Sequence, residues 1–270
     1  MDVILQAVRA AGKAAILPRF RALALGEVSQ KSDFADLVTV ADTEAEAMIG
    51  AALAQSWPEA RVLGEEAVAS DPALRAVMAG PGWQVIVDPV DGTWNFAKGL
   101  ANFGMIAVAV RDGVAKYGLL YDVLLDDWVE VTAGKPARFV QGVRAQDLRV
   151  SNTTDPSQMI GYMPAGLFPP DQRRAAVLAG LHYGRVTSLR CSCHEYRLMA
   201  QGHVDFVISG PEPHPWDHAA GALAAQAAGG VARFLDGAEY DLARVRGVLI
   251  VANSEATWAR LARDFAALAG

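Results

Sequence analysis

Asp88 and Asp91 stand three positions apart in DPVDGTWNF, where Pro89 and Gly92 mark a sharp turn. Two carboxylates at that spacing can converge on one cation, and the backbone amides of Gly92 and Thr93 would then face an anion. Carboxylates set against a phosphate ester without a cation would repel it, so the pattern calls for a hard divalent ion. Magnesium fits first, because it takes oxygen ligands, keeps several waters and accepts a few carboxylates together with substrate phosphate. A plainer reading stays open on spacing alone, in which Asp88 caps the turn and Asp91 is merely exposed. Further acidic positions that could join the pair are Glu65 and Glu66 in GEE, and Asp217 in PWDHAAG.

These residues need elements to hold them. The run WQVIV, Trp83 to Val87, apolar except for Gln84, reads as a buried strand with Asp88 at its carboxyl end and Pro89 stopping the ladder. RVLG, residues 61 to 64, is a short strand leading into the two glutamates. Adjacent side chains on an extended segment point oppositely, so one of the two should serve the site. Lys31, Asp36 and Asp42 precede an amphipathic helix with Ala45, Met48, Ile49 and Leu53 inward. Asp42 reads as its N-cap, supported by Glu44 and Glu46 in the first turn. Asp217 opens an alanine-rich helix closed by Gly229 and Gly230, whose small residues permit close packing; capping by itself would also explain an aspartate there.

DPVDGTWNF matches the DPxDGTxNF signature of the inositol monophosphatase family, and GEE and PWDHAAG fall at that family's usual upstream and downstream places. KxxxxDLVTxxD, Lys31 to Asp42, resembles a fourth block of the same family. The resemblance covers essentially the whole chain and implies a magnesium-dependent, lithium-sensitive phosphatase. It implies one ion on Glu65, Asp88 and the Val90 carbonyl, a second on Asp88, Asp91 and Asp217, and a third, weaker ion near Glu65. Thr93, oriented by Asp42, would hold the attacking water; Gly92 and Thr93 would bind phosphate oxygens, and Asp91 and Asp217 would contact substrate. The substrate would be a small phosphorylated polyol or metabolite such as inositol 1-phosphate. Histidinol phosphate, 3′-phosphoadenosine 5′-phosphate and sugar phosphates are alternatives, and a metal- or phosphate-binding regulatory protein is the non-enzyme reading. Family relatives imply a homodimer.

Two departures put the leaving-group pocket apart from the inositol pattern. A family glutamate just before the WD motif has no counterpart in SGPEPHPWD, where Glu212 is displaced among prolines. A small-residue segment is replaced by CSCHEY after Arg190. His214 and His218 invite zinc by their spacing, but Pro215 argues against a shared helix face, and CSCH lacks the second half of a zinc pattern.

The remaining chain sets the frame. After the signature, residues 102 to 134 alternate strand-like runs with turns at Asp112-Gly113, Asp126-Asp127 and Gly134, an antiparallel meander. VASDPALRAVMAGPG reads as loop, and polar residues 141 to 153 mark a boundary. Beyond it strands and helices alternate, implying a parallel or mixed layered sheet. The fold class expected is α/β, α+β in the N-terminal half, with the family's αβαβα sandwich, divided into an N-terminal region 1–145 and a C-terminal region 146–270. The 270 residues suffice for one large or two smaller domains. A net charge of −6 without a basic block argues against nucleic acid as main partner. No membrane span or secretory signal is evident, and Cys191 and Cys193 are poorly spaced for a disulfide, so a cytoplasmic setting is expected.

Overall fold

The computed structural model describes residues 1–31 and 34–269. Helix α1 (Asp2–Ala11) buries Ile4, Ala7, Val8 and Ala11, one helical face. A wider turn at Gly12–Ile16 and a tighter one at Leu17–Arg19, with Pro18, end it. β1 (Val28–Gln30) pairs antiparallel with β2 (Leu37–Thr39), which feeds α2 (Val40–Ser56). The N-cap of α2 is Thr39 and not Asp42. Asp42 sits three residues in, where its carboxylate accepts the Thr39 amide at 2.8 Å and hydroxyl at 2.6 Å.

β3 (Ala60–Gly64) leads to Glu65, which opens α3 (Glu65–Ser70); α4 (Leu74–Val77) follows where the sequence read as loop. The glutamates therefore lie on a helical turn and not on an extended segment. The cause is Glu46 on α2, whose carboxylate accepts the amides of Glu66 and Ala67, each at 2.9 Å, and so supplies a cap from another element.

β4 (Trp83–Asp91) runs parallel to β3 and continues past Pro89, which interrupts the ladder without ending the strand. Its pairing with the later strand β5 holds through Asp88↔Ile106, shifts register across Pro89, and resumes at Asp91↔Gly104. α5 (Thr93–Ala97) follows, then β5 (Gly104–Arg111), β6 (Val114–Asp122), β7 (Asp127–Thr132), β8 (Arg138–Gln141) and β9 (Arg144–Asp147) as an antiparallel meander. Asp126 adopts a positive φ of 53° in a turn and is paired with Arg9 at 2.5 Å. Asp127 is not a turn residue: it is buried at the start of β7 against Arg197.

The second half carries β10 (Ile160–Tyr162), α6 (Pro170–Gly180), β11 (Arg185–Thr187), α7 (Ser192–Ala200), β12 (Phe206–Ile208), α8 (Pro215–Ala227), β13 (Val231–Phe234), β14 (Leu249–Ala252) and α9 (Glu255–Asp264). Among the described residues the order β3-β4-β5-β6-β7-β8-β9 makes one large sheet, and β11-β10-β12-β14-β13 makes a second, mixed one.

Side-chain alternation along the strands stacks these pieces. On β4, Val85 and Val87 join Ile4, Val8, Ile49 and Leu53 of α1 and α2 in one core, whereas Ile86 faces Tyr196, Ala220 and Ala224 of α7 and α8. On β14, Leu249 and Val251 meet that same middle layer, and Ile250 and Ala252 face Ala176 and Leu261 of α6 and α9. The result is an αβαβα sandwich with α7 and α8 between the sheets. They approach closely because a Cβ on Gly221 would lie 2.1 Å from the Tyr196 ring. The middle core joins residues from both halves of the chain, so the break after Asp147 marks a change of sheet within shared packing.

Candidate active site

The end of β4, where the pairing shifts register across Pro89, lies beside the N-terminus of α8. Asp88 is 2% exposed and Asp91 5% exposed, and with Asp217 they each offer a carboxylate oxygen within 4.8 Å of the others. The aspartates expected to hold metal thus come together from two elements far apart in sequence. Burial pushes Asp88 well above the usual carboxylate range, and the charges of Glu65, Asp91 and Asp217 push it further. Asp217 is raised in the same way, by burial and then by Asp91 and Glu65. Ionised together, such oxygens repel unless a cation lies among them, and an all-oxygen set fits a hard ion of the magnesium type.

Asp91 is also braced from behind. Its carboxylate accepts the Ser192 amide at 3.1 Å, the Cys191 thiol at 3.1 Å and the Cys193 amide, so it closes the N-terminus of α7. These bonds oppose the rise in pKa that burial causes. The sequence offered no sign of this partnership, because the partners lie about a hundred residues apart.

Glu65 stands outside the trio of aspartates. It meets the Lys31 ammonium at 2.7 Å, and Glu66 meets it at 2.6 Å. Both glutamates therefore border the site, held by one half-buried cation. Glu65 remains near enough for its charge to be the second cause of the rise at Asp88.

Gly92 turns the chain at φ +86°. A Cβ there would lie 3.0 Å from the Asn102 carbonyl oxygen and 3.2 Å from both the Arg190 carbonyl oxygen and the Cys191 Cβ. Thr93 follows at the start of α5. Its hydroxyl is 2.9 Å from the Val90 carbonyl and 3.3 Å from Asp42, and its single proton serves one of them at a time. Burial pushes Asp42 up to about 7, against the lowering effect of its bonds from Thr39. Asp42 and Thr93 thus meet as expected, while Asp42 also completes the cap of α2.

Two cavities flank this turn. One of 510 Å³ is lined by Asp91, Asp217, Arg190, Glu195 and His214; the other, of 600 Å³, by Glu65, Gly92, Thr93, Trp94, Arg173 and Arg190. Glu195 is buried, accepts the Leu189 amide at 2.7 Å and the Ser188 hydroxyl at 3.0 Å, and is pushed up to about 7 by burial. Glu212 lies at the rim, 3.5 Å from Arg246. The histidines do not converge: His214 stacks on Trp216 at 4.5 Å, and His218 Nδ1 lies 2.9 Å from the Tyr196 hydroxyl, with burial pushing its pKa down to about 3. Cys191 and Cys193 are free and buried.

The family model described as "Inositol monophosphatase family" matches residues 1–268. A Thermotoga maritima protein named fructose-1,6-bisphosphatase/inositol-1-monophosphatase is 28% identical over 212 residues, covering 78% of this chain and 77% of its own. Nus factor SuhB of Escherichia coli is 31% identical over 269 residues, covering 95% and 93% respectively. The solved structure of a Thermotoga maritima IMPase superposes with a TM-score of 0.82 at 22% identity, over 99% of this chain and 96% of that one. With the signature turn, the aspartate trio and the five-layer sandwich in place, the chain belongs to the inositol monophosphatase family.

Proposed function

We propose that this protein hydrolyses the phosphate monoester of a small polyol or related metabolite, inositol 1-phosphate being representative, with magnesium as cofactor. Family membership supports a phosphatase in general terms. The observation that carries the reading is the convergence of Asp88, Asp91 and Asp217 beside the Gly92–Thr93 turn. Glu65, Asp88 and the Val90 carbonyl would hold one ion, Asp88, Asp91 and Asp217 a second, and Glu65 a weaker third. Bound magnesium supplies neutralising charge for the phosphate and lowers the pKa of water. The chain's own groups do the rest. Asp42 accepts a hydrogen bond from the Thr93 hydroxyl, which leaves the threonine lone pairs to take a hydrogen bond from the attacking water. The amides of Gly92 and Thr93 face the phosphate oxygens. A bond forms from water oxygen to phosphorus, the ester P–O bond breaks, and the departing alcohol takes up a proton; no side chain need act as nucleophile. A homodimer, a cytoplasmic setting and inhibition by lithium belong to the same proposal.

A relative named as a Nus factor favours a second reading, a binding role without turnover. Retention of all three aspartates together with Thr93 and Asp42 favours the enzyme. Phosphate release from inositol 1-phosphate, histidinol phosphate, 3′-phosphoadenosine 5′-phosphate and glycerol phosphates, with magnesium and with chelator, tests the choice. Release that requires magnesium and is abolished in Asp88→Asn, while Cys193→Ala retains it, is the expected result. Metal binding with no release from any ester would favour the binding role.

A further inference from the structure

The pocket that departs from the family pattern contains a cation held in an unusual way. Arg190 has a positive φ of 55°, a strained setting for a residue with a side chain. Its turn is fixed by many bonds. Asn95 Nδ2 donates to the Leu189 and Arg190 carbonyls at 2.9 and 3.3 Å, Asn102 Nδ2 donates to the Leu189 carbonyl at 2.7 Å, and the Arg190 amide donates to the Ser188 hydroxyl at 3.0 Å. The buried Glu195 carboxylate accepts from Ser188 and Leu189 and secures the start of the turn. The same turn rests on the signature loop, since a Cβ at position 92 would lie 3.2 Å from the Arg190 carbonyl oxygen and press on it.

The side chain is placed as carefully as the backbone. Its guanidinium lies 4.2 Å from the centre of the Trp94 ring, immediately after the phosphate-facing Thr93. Among the described residues no carboxylate lies within ion-pair distance of it, although Asp91, Glu195, Glu212 and Asp217 line the same cavity. Arg190 is also, among the described residues, the one Lys or Arg that lines both cavities beside the aspartate trio. A stacked guanidinium keeps its donors in the plane of the fork, ready for two oxygens of one anion.

We infer that Arg190 is a specificity residue that binds a second anionic group, phosphate or carboxylate, on the alcohol portion of the substrate. The inference rests on the phosphatase reading and narrows its substrate class to esters carrying that second anion. A neutral polyol phosphate would leave the guanidinium facing only water and Trp94, so it would gain nothing from the strained turn.

Matched esters separate the sources of the anion. Fructose 1,6-bisphosphate against fructose 1-phosphate tests phosphate, and 2-phosphoglycerate against glycerol 2-phosphate tests carboxylate, each with magnesium. The wild-type protein is expected to favour the more anionic ester in at least one pair by about tenfold or more in kcat/KM, the worth of a charge-assisted hydrogen bond. Arg190→Gln, checked for unchanged melting temperature, is expected to remove that ratio mainly through KM, and Arg190→Lys to restore part of it. Turnover with no preference in either pair, or a preference that survives in Arg190→Gln, would overturn the second-anion site and leave the phosphatase reading standing. No release from any of the four esters or from inositol 1-phosphate would overturn the phosphatase reading itself.

Discussion

Asp42 carries a cost that the fold alone does not require, and replacing it by asparagine exposes that cost. The carboxylate is 1% exposed and is pushed up to about 7 from 3.8, first by burial and then by the charges of Glu66 and Glu65. At about 1.4 kcal/mol per pH unit, keeping it ionised in the folded protein costs about 4 kcal/mol at pH 8. Relaxation and water entry reduce this to about 2 kcal/mol. Asparagine retains an oxygen for the Thr39 amide and hydroxyl, so the cap of α2 survives. Asp42→Asn is therefore expected to stabilise the metal-free protein at pH 8 by about 2 kcal/mol, or about 3 to 4 °C in melting temperature for a chain of this length.

The sign follows from proton uptake. Between about 4 and 7 the folded protein keeps the Asp42 proton while the unfolded chain has released it, so the wild-type contribution is fully present below about 4 and is lost as pH rises through 7. The variant has no such proton. Its advantage should be absent near pH 4, grow to pH 7 and stay level above. Melting of both proteins in chelator across that range reads the difference directly, since every other titrating group is common to the two. In the same variant kcat with magnesium should fall about a hundredfold or more, as for other residues that orient a reacting water and its proton. A variant less stable than wild type at pH 8, or an advantage independent of pH, would refute the reasoning.

Two further outcomes test how the site is supported. Gly92→Ala combines a left-handed backbone with contacts of 3.0 to 3.2 Å to Asn102, Arg190 and Cys191, and should cost about 2 kcal/mol or more in denaturant unfolding, with turnover falling as the loop shifts. Arg197→Met strands the buried Asp127 charge and should cost about 3–5 kcal/mol, whereas Arg197→Met with Asp127→Leu should recover most of it; equal losses in single and double variants would show that packing, and not charge, holds α7 to β7.

What the sequence made legible was local or was carried by the signature. Four apolar residues around Gln84 sufficed for β4, turn pairs for the meander, and alanine with glycine for the close packing of α8. What it concealed depends on partners that only the fold supplies. Glu65 and Glu66 follow a strand, and nothing nearby in the chain says that Glu46 will cap them into a helix. Asp127 resembles its neighbour Asp126 until Arg197 arrives from α7. The Asp91 cap on α7 spans about a hundred residues and comes from CSCH, a segment that looked important, if at all, for its sulfur.

Capping stood as the plain alternative for Asp42 and Asp217, and Asp91 read otherwise as merely exposed; in this fold Asp42 and Asp91 both support helix starts while lying at the site. Asp42 gives one oxygen to Thr39 and the other to Thr93. Asp91 holds α7 while lying within reach of Asp88 and Asp217. A carboxylate with freely turning oxygens could relax away from its neighbours, but one pinned by backbone amides has to stay among them, and the pKa values of Asp88 and Asp217 are raised first by burial and then by the neighbouring charges. The helix caps thus keep the acidic groups together in a protein whose charges would drive them apart.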